Sequence, residues 1–152
     1  MVTPALSRRC WVYSWATVAT NTALEIEVLQ RFVKPSKRVR CVTFASDVRT
    51  RGKVLDELRN PGVFDPRCVT EIPAAERSAV SLVAAFRKLG MAGRVYVISS
   101  NSEWDQQKFQ MSWFVGEFHA SSFDTLAYCW KSKTGFYEQH HSGFTYFLRS
   151  PA

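Results

Sequence analysis

Along residues 73–90, PAAERSAVSLVAAFRKLG, apolar side chains recur at Ala75, Ala79, Leu82, Phe86 and Leu89. Those spacings of four and three put them on one face of a helix. Pro73 suits its first turn and Gly90 the residue just past its end. The next segment, RVYVISSN at 94–101, is β-branched and almost continuously apolar, the pattern of a strand buried on both faces. RVRCVTFASD at 38–47 reads as another strand. TRGKVLDELRN at 50–60 reads as a short helix stopped by Asn60, Pro61 and Gly62, and CVTEI at 68–72 as a short strand. Strand, helix, strand, helix, strand is the order of βαβ units, so the pattern predicts an α/β fold with a mainly parallel sheet and flanking helices.

The two ends read differently. In NTALEIEVLQRFVKP, Thr22 and Glu25 have capping-box spacing and Pro35 marks an end. Leu24, Ile26 and Val28 alternate with glutamates as a strand would, but a helix continues the alternation of elements. Upstream, RRCWVYSWATVATN at 8–21 reads as the first strand, with Trp11, Tyr13 and Trp15 on one face and buried in the core. A base-stacking row is the competing reading of those aromatics. SWFVGEFH at 112–119 reads as a strand. SSFDTLAYCWKSKTG at 121–135 reads as a capped helix with Phe123, Ala127 and Trp130 on one face and a closing glycine. GFYEQHHSGFTYFLR reads as a hairpin turning at His141, Ser142 and Gly143, a C-terminal antiparallel addition to the sheet.

At 152 residues, 46% hydrophobic and 22% charged, the chain has the size and composition of a single compact domain, with residues 1–9 as a flexible basic arm. No apolar run approaches the ~18 residues of a membrane span, so no membrane partner is expected. Cys10, Cys41, Cys68 and Cys129 contain no CxxC pair, which argues against zinc and for buried thiols in a reducing, intracellular compartment. Before Glu25 there is no acid, a bias shared with mitochondrial presequences, although two arginines in that stretch are few. The mitochondrion and the cytoplasm are the two expected locations. No glycine-rich loop follows a strand, so no nucleotide cofactor is expected.

Charge changes this picture most. The net charge is +7, and residues 31–53 hold eight basic side chains against the single acid Asp47. That block therefore carries the whole surplus, and the rest of the chain sums to zero. Concentrated positive charge is a field aimed at a polyanion. The expectation is a non-catalytic RNA-binding or ribonucleoprotein component. Its phosphate contacts come from Lys34, Lys37, Arg38, Arg40, Arg49, Arg51 and Lys53. In a βαβ arrangement the groups before and after residue 45 would lie at opposite sheet edges.

Two other classes compete. In a parallel sheet ligands gather beyond the strand ends, where Asp47, Glu71, Glu103 and Asp105 are expected; acids converging there would hold magnesium for a nuclease or nucleotide hydrolase. Glu117 with His119, and Glu138 with His140, are Glu-x-His pairs that on paired strands would meet for acid–base or metal chemistry. The third class is a subunit held in a larger assembly by protein contacts.

Overall fold

The structure, a computed structural model, describes residues 15–119, 123–140 and 145–151, and side chains from residue 21 onward within them. Five helices, α1 (Trp15–Phe32), α2 (Pro35–Ala45), α3 (Gly52–Leu58), α4 (Ala79–Lys88) and α5 (Met111–Phe118), surround one sheet. Its strands are β1 (Val69–Glu71), β2 (Arg94–Ser99), β3 (Lys108–Gln110), β4 (Thr125–Cys129), β5 (Thr134–Glu138) and β6 (Thr145–Arg149). They lie in the order β1-β6-β5-β4-β2-β3 and every pairing is antiparallel.

The mainly parallel sheet expected from the sequence is therefore corrected. β1 and β2 do run in the same direction, as a strand–helix–strand unit implies. Three strands, β6, β5 and β4, stand between them and alternate in direction. Local sequence signals the strands but not which strands come between.

Helices cover both faces. On one, α1, α2 and α3 pack Leu29, Phe32, Cys41, Val54 and Leu58 against Tyr96, Ile98, Leu126, Tyr128, Tyr137 and Leu148. On the other, α4 and α5 pack Leu82, Phe86, Phe114 and Phe118 against Val95, Val97, Ala127, Cys129, Phe136 and Phe147. Along β4 the alternation is complete: Leu126 and Tyr128 serve the first core, Ala127 and Cys129 the second. Such doubly covered strands bury every residue, which is why β4 is continuously buried although its strands are antiparallel.

Four segments depart from their expected states. Residues 38–47 lie mostly in α2: Pro35 fixes the first turn, and Cys41 and Ala45 bury one turn apart while Val39 faces solvent. Packing of that stripe outweighs the β-branched content. Residues 112–119 lie in α5, whose buried Met111, Phe114, Val115 and Phe118 carry the helical three–four spacing. Of the helix expected at 121–135, the described residues from 123 onward form the β4–β5 hairpin instead: its lysines belong to the turn, in which Lys133 takes a positive φ of 58°, and Gly135 lies in β5. Of the strand expected at 8–21, residues 15–21 belong to α1, which leaves Thr22 inside the helix and not at a cap. Residues 1–14, with Trp11, Tyr13 and Cys10, lie outside the described residues, as does the turn at 141–143. The helix of residues 79–88 starts later than expected, at an N-cap Ser78 whose Oγ accepts from Ser81 N at 3.2 Å. It ends as expected at Gly90, whose φ of 92° glycine alone adopts cheaply.

Gly135 sets how closely α1 approaches the sheet. A β-carbon there would lie 3.0 Å from Ala127 O, 3.5 Å from the Phe32 ring and 3.7 Å from Leu148 Cβ. Gly135→Ala is expected to destabilise the fold by about 1–3 kcal/mol, read as a lowered urea midpoint with an unchanged m-value. An unaltered midpoint would show that the strand yields freely at this point.

Candidate functional site

The end of α1 and the start of α2 meet a short clip of chain. Lys34 N donates to Val63 O (3.0 Å), Asp65 N to Phe32 O (2.8 Å), and Val33 bridges Phe64. This clip carries residues 65–67 against the helices, and a cleft of about 350 Å³ opens between them. Arg31, Arg38 and Arg67 line it, with Glu27, Asp65 and Cys68. Three guanidinium groups against two carboxylates leave the lining positive. Lys133, 2.6 Å from Glu27, offsets one of those carboxylates as well.

Each arginine is held differently. Arg38 gives Nε and Nη2 to Val33 O (3.2 and 3.0 Å), which satisfies a carbonyl just past the end of α1. Arg67 gives Nε and Nη2 to Asp65, the latter at 2.7 Å, and its side chain remains 68% exposed. Those bonds, with Arg38's charge adding to them, hold the Asp65 carboxyl down at about 2. Arg31 reaches Ser150 Oγ at 3.3 Å and Glu27 at 3.5 Å, while its Nε is buried with no hydrogen-bond partner among the described residues. Burial works against the charge on Glu27, but Lys133, the Tyr128 hydroxyl and Arg31 outweigh it and lower its pKa.

The other expected phosphate ligands are held in different ways. Lys37 and Arg40 share one carboxylate, Glu57, at 3.6 and 3.1 Å, so one positive charge is left over on the outer face of α2. Lys53 lies over the Phe44 ring at 5.3 Å, with Arg40 over the same ring at 5.5 Å. Lys34 is in no ion pair among the described residues and borders a second cavity beside the cleft. Arg49 pairs with Asp47 at 3.1 Å, a local exchange of charge on an exposed turn.

Arg51 is turned inward. Its side chain is 13% exposed and all three guanidinium nitrogens bond carboxylates: Glu25 at 2.6–3.0 Å and Asp105 at 2.6 and 2.9 Å. Glu25 also accepts from the Tyr96 hydroxyl at 2.7 Å, and Asp105 from Ser99 N at 3.0 Å. Burial opposes the Arg51 charge, but the two carboxylates outweigh it and raise its pKa. This group ties α1, the start of α3, β2 and the loop after β2 together, and its charge is turned inward onto two carboxylates.

The acids expected at strand ends do not converge. Asp105 is committed to Arg51, Asp47 to Arg49, and Glu71 pairs with Arg77 at 3.4 Å. The Glu-x-His pairs lose their common direction. Glu117 and His119 lie on and just after a helix, where residues two apart diverge, and His140 follows the end of β5. Among the described residues no three His, Cys, Asp or Glu side chains assemble as a metal-ligand group. Cys41, Cys68 and Cys129 are free and buried, and burial raises the pKa of Cys41 and Cys68.

Glu138 stands out for its environment. Burial pushes its carboxyl up to about 7, against the Thr145 hydroxyl at 3.4 Å and the charge of Arg77. The same group in the unfolded chain titrates near 4.5. Between those pH values the folded chain keeps a proton that the unfolded chain has lost, so stability falls as pH rises through this window. Glu138→Gln is expected to stabilise the protein at pH 8 by on the order of 1–2 kcal/mol, screened by partial exposure, and to give no gain at pH 4. Thermal melts across pH 4–8 measure this, and an equal gain at both ends would remove ionisation as its cause.

Arg67 and Arg31 are the residues that sequence reasoning passed over as ligands. Arg67 sits beside Asp65 and adds nothing to a local charge count. Arg31 was one cation among eight, and nothing in its spacing marks a buried Nε. No helix among the described residues is long and apolar enough to cross a membrane. The fold and cleft define a three-layer α/β/α protein with an antiparallel sheet and a cationic corner. No protein-family model, curated protein or solved structure matches the chain.

Proposed function

We propose that this protein is a non-catalytic RNA-binding component, and that the cleft of Arg31, Arg38 and Arg67 is where it grips the phosphate backbone. The observation that carries this reading is the convergence of three arginines on one open cleft whose lining keeps a positive surplus over Glu27 and Asp65. Guanidinium groups bind phosphate through paired, charge-assisted hydrogen bonds. Arg67 gives Nε and Nη2 to Asp65 and keeps a further N–H edge for an anion. Lys34, Lys37, Arg40 and Lys53 extend the positive field along α2 and α3 from the cleft. Arg49 takes no part because it lies on an exposed turn outside the cleft lining, and Arg51 because it is turned inward onto Glu25 and Asp105.

Fluorescence anisotropy of a labelled single-stranded RNA, titrated from 50 to 200 mM salt, tests the reading. Binding should weaken steeply as salt rises, with a logarithmic slope of about −0.7 per phosphate neutralised. Binding that is absent at 50 mM, or insensitive to salt, would overturn it.

A further inference from the structure

Beside the arginine cleft lies a second cavity of different character. It measures about 620 Å³ and is walled by Lys34, Phe64, Pro66, Val69, Glu71 and Tyr146. The two share one stretch of chain: Asp65, Arg67 and Cys68 face the cleft, while Phe64 and Pro66 face the second cavity. Consecutive residues, about 3.8 Å apart at Cα, therefore wall adjacent cavities. Lys34 and Arg38, one helical turn apart, border one each.

The chemistry of the two cavities is complementary. The cleft carries surplus positive charge. Among its lining residues the second cavity has one cation and one carboxylate, Lys34 and Glu71, so the wall sums to zero, and the rest is aromatic, proline, valine and glycine. Its position explains that composition. Glu71 and Tyr146 are register partners, and Tyr146 is the register partner of Tyr137, so the three stand in one row across β1, β6 and β5. Tyr137 is covered by Phe64 and by the Leu58 carbonyl that accepts its hydroxyl. Tyr146 lies parallel to Tyr137, with ring centres 6.3 Å apart, but at the margin of the helical layer and only half buried. An aromatic ring at the edge of a neutral, apolar cavity beside a phosphate-attracting cleft is the arrangement that takes a nucleobase with its phosphate.

Resting on the RNA reading above, we infer that the Phe64–Tyr146 cavity receives one unstacked base of the strand whose phosphate sits among Arg31, Arg38 and Arg67. The ligand is therefore single-stranded RNA, because a duplex keeps its bases stacked and turned inward. A charged phosphate gains nothing from a neutral cavity, and a base gains little from the cleft, so phosphate and base are sorted to opposite sides of the clip.

Three probes separate this from simple polyanion binding: an oligouridylate, the same ribose–phosphate chain without bases, and a duplex matched to them in number of phosphates. The oligouridylate is expected to bind about tenfold tighter than the abasic chain, the value of one stacked base. The duplex should bind like the abasic chain. Tyr146→Phe should keep the discrimination, and Tyr146→Ala should abolish it while leaving the affinity for the abasic chain unchanged. Uridine monophosphate should compete only at concentrations far above those of the oligomer. Equal binding of all three probes overturns the base cavity while the phosphate reading stands. Absence of binding by any probe overturns both. A mononucleotide as tight as the oligomer overturns the strand as ligand.

Discussion

Replacing Arg51 by methionine is expected to cost about 3–5 kcal/mol of folding stability and to lower Tm by roughly 10 °C. The aliphatic stem is kept, so packing is not the source of the loss. What remains after the substitution is a pair of carboxylates, Glu25 at 1% exposure and Asp105, with their cation gone and five hydrogen bonds unmade. Tyr96 and Ser99 N still donate, but neither carries a compensating charge. The control is a triple variant, Arg51→Met with Glu25→Gln and Asp105→Asn, which removes the stranded charges along with their partner. It should recover much of the loss, because a neutral replacement of a buried ion network is often close to neutral in stability. If the triple variant is as unstable as the single one, the network contributes through its geometry and not through its charge balance.

Reversing Arg67 and neutralising Arg38 together is expected to weaken RNA binding by on the order of a hundredfold at 100 mM salt. Each charge-assisted bond to phosphate is worth about 1.5–3 kcal/mol, and 1.4 kcal/mol is tenfold in affinity. Arg67→Glu alone is the cleaner substitution, since Arg67 is exposed and bonds only its neighbour Asp65. It should lower affinity at least tenfold and flatten the salt slope by about one phosphate contact. Arg38→Gln keeps a donor for Val33 O and so protects the end of α1 while removing the charge. Reversing Arg49 serves as the reference: it pairs with Asp47 as Arg67 does with Asp65 but does not line the cleft, and the change should leave affinity within about twofold. Equal losses for Arg67→Glu and Arg49→Glu would spread the interface over the whole basic block and dissolve the cleft as its centre.

Much of the element content was legible in the sequence. The strand at 94–99, the short helix at 52–58, the helix ending at Gly90 and the final antiparallel hairpin all stand where their patterns put them. The two misread helices share one cause. α2 and α5 carry valine and phenylalanine, residue types that favour strands and that locally mask the helical spacing of their buried positions. β4 failed the other way: Phe123, Ala127 and Trp130 have helical spacing, yet Ala127 faces the second core as part of a strand buried on both sides. Periodicity carries little signal for such a strand, because no position in it is exposed.

For the site, the sequence by itself determined the region and the sign: a cationic surplus confined to residues 31–53, against a chain otherwise neutral. Which of those cations face outward was decided only in three dimensions. Arg51 is drawn inside by Glu25 and Asp105, 26 and 54 residues away, while Arg67, invisible in a charge count, joins Arg31 and Arg38 because the 61–68 clip bonds back onto the end of α1. The order of strands was decided at the same level, since antiparallel and parallel neighbours ask the same residue types of a doubly covered strand. Ion pairing and strand order both depend on partners distant in the chain, and distance along the chain is what a local pattern does not encode.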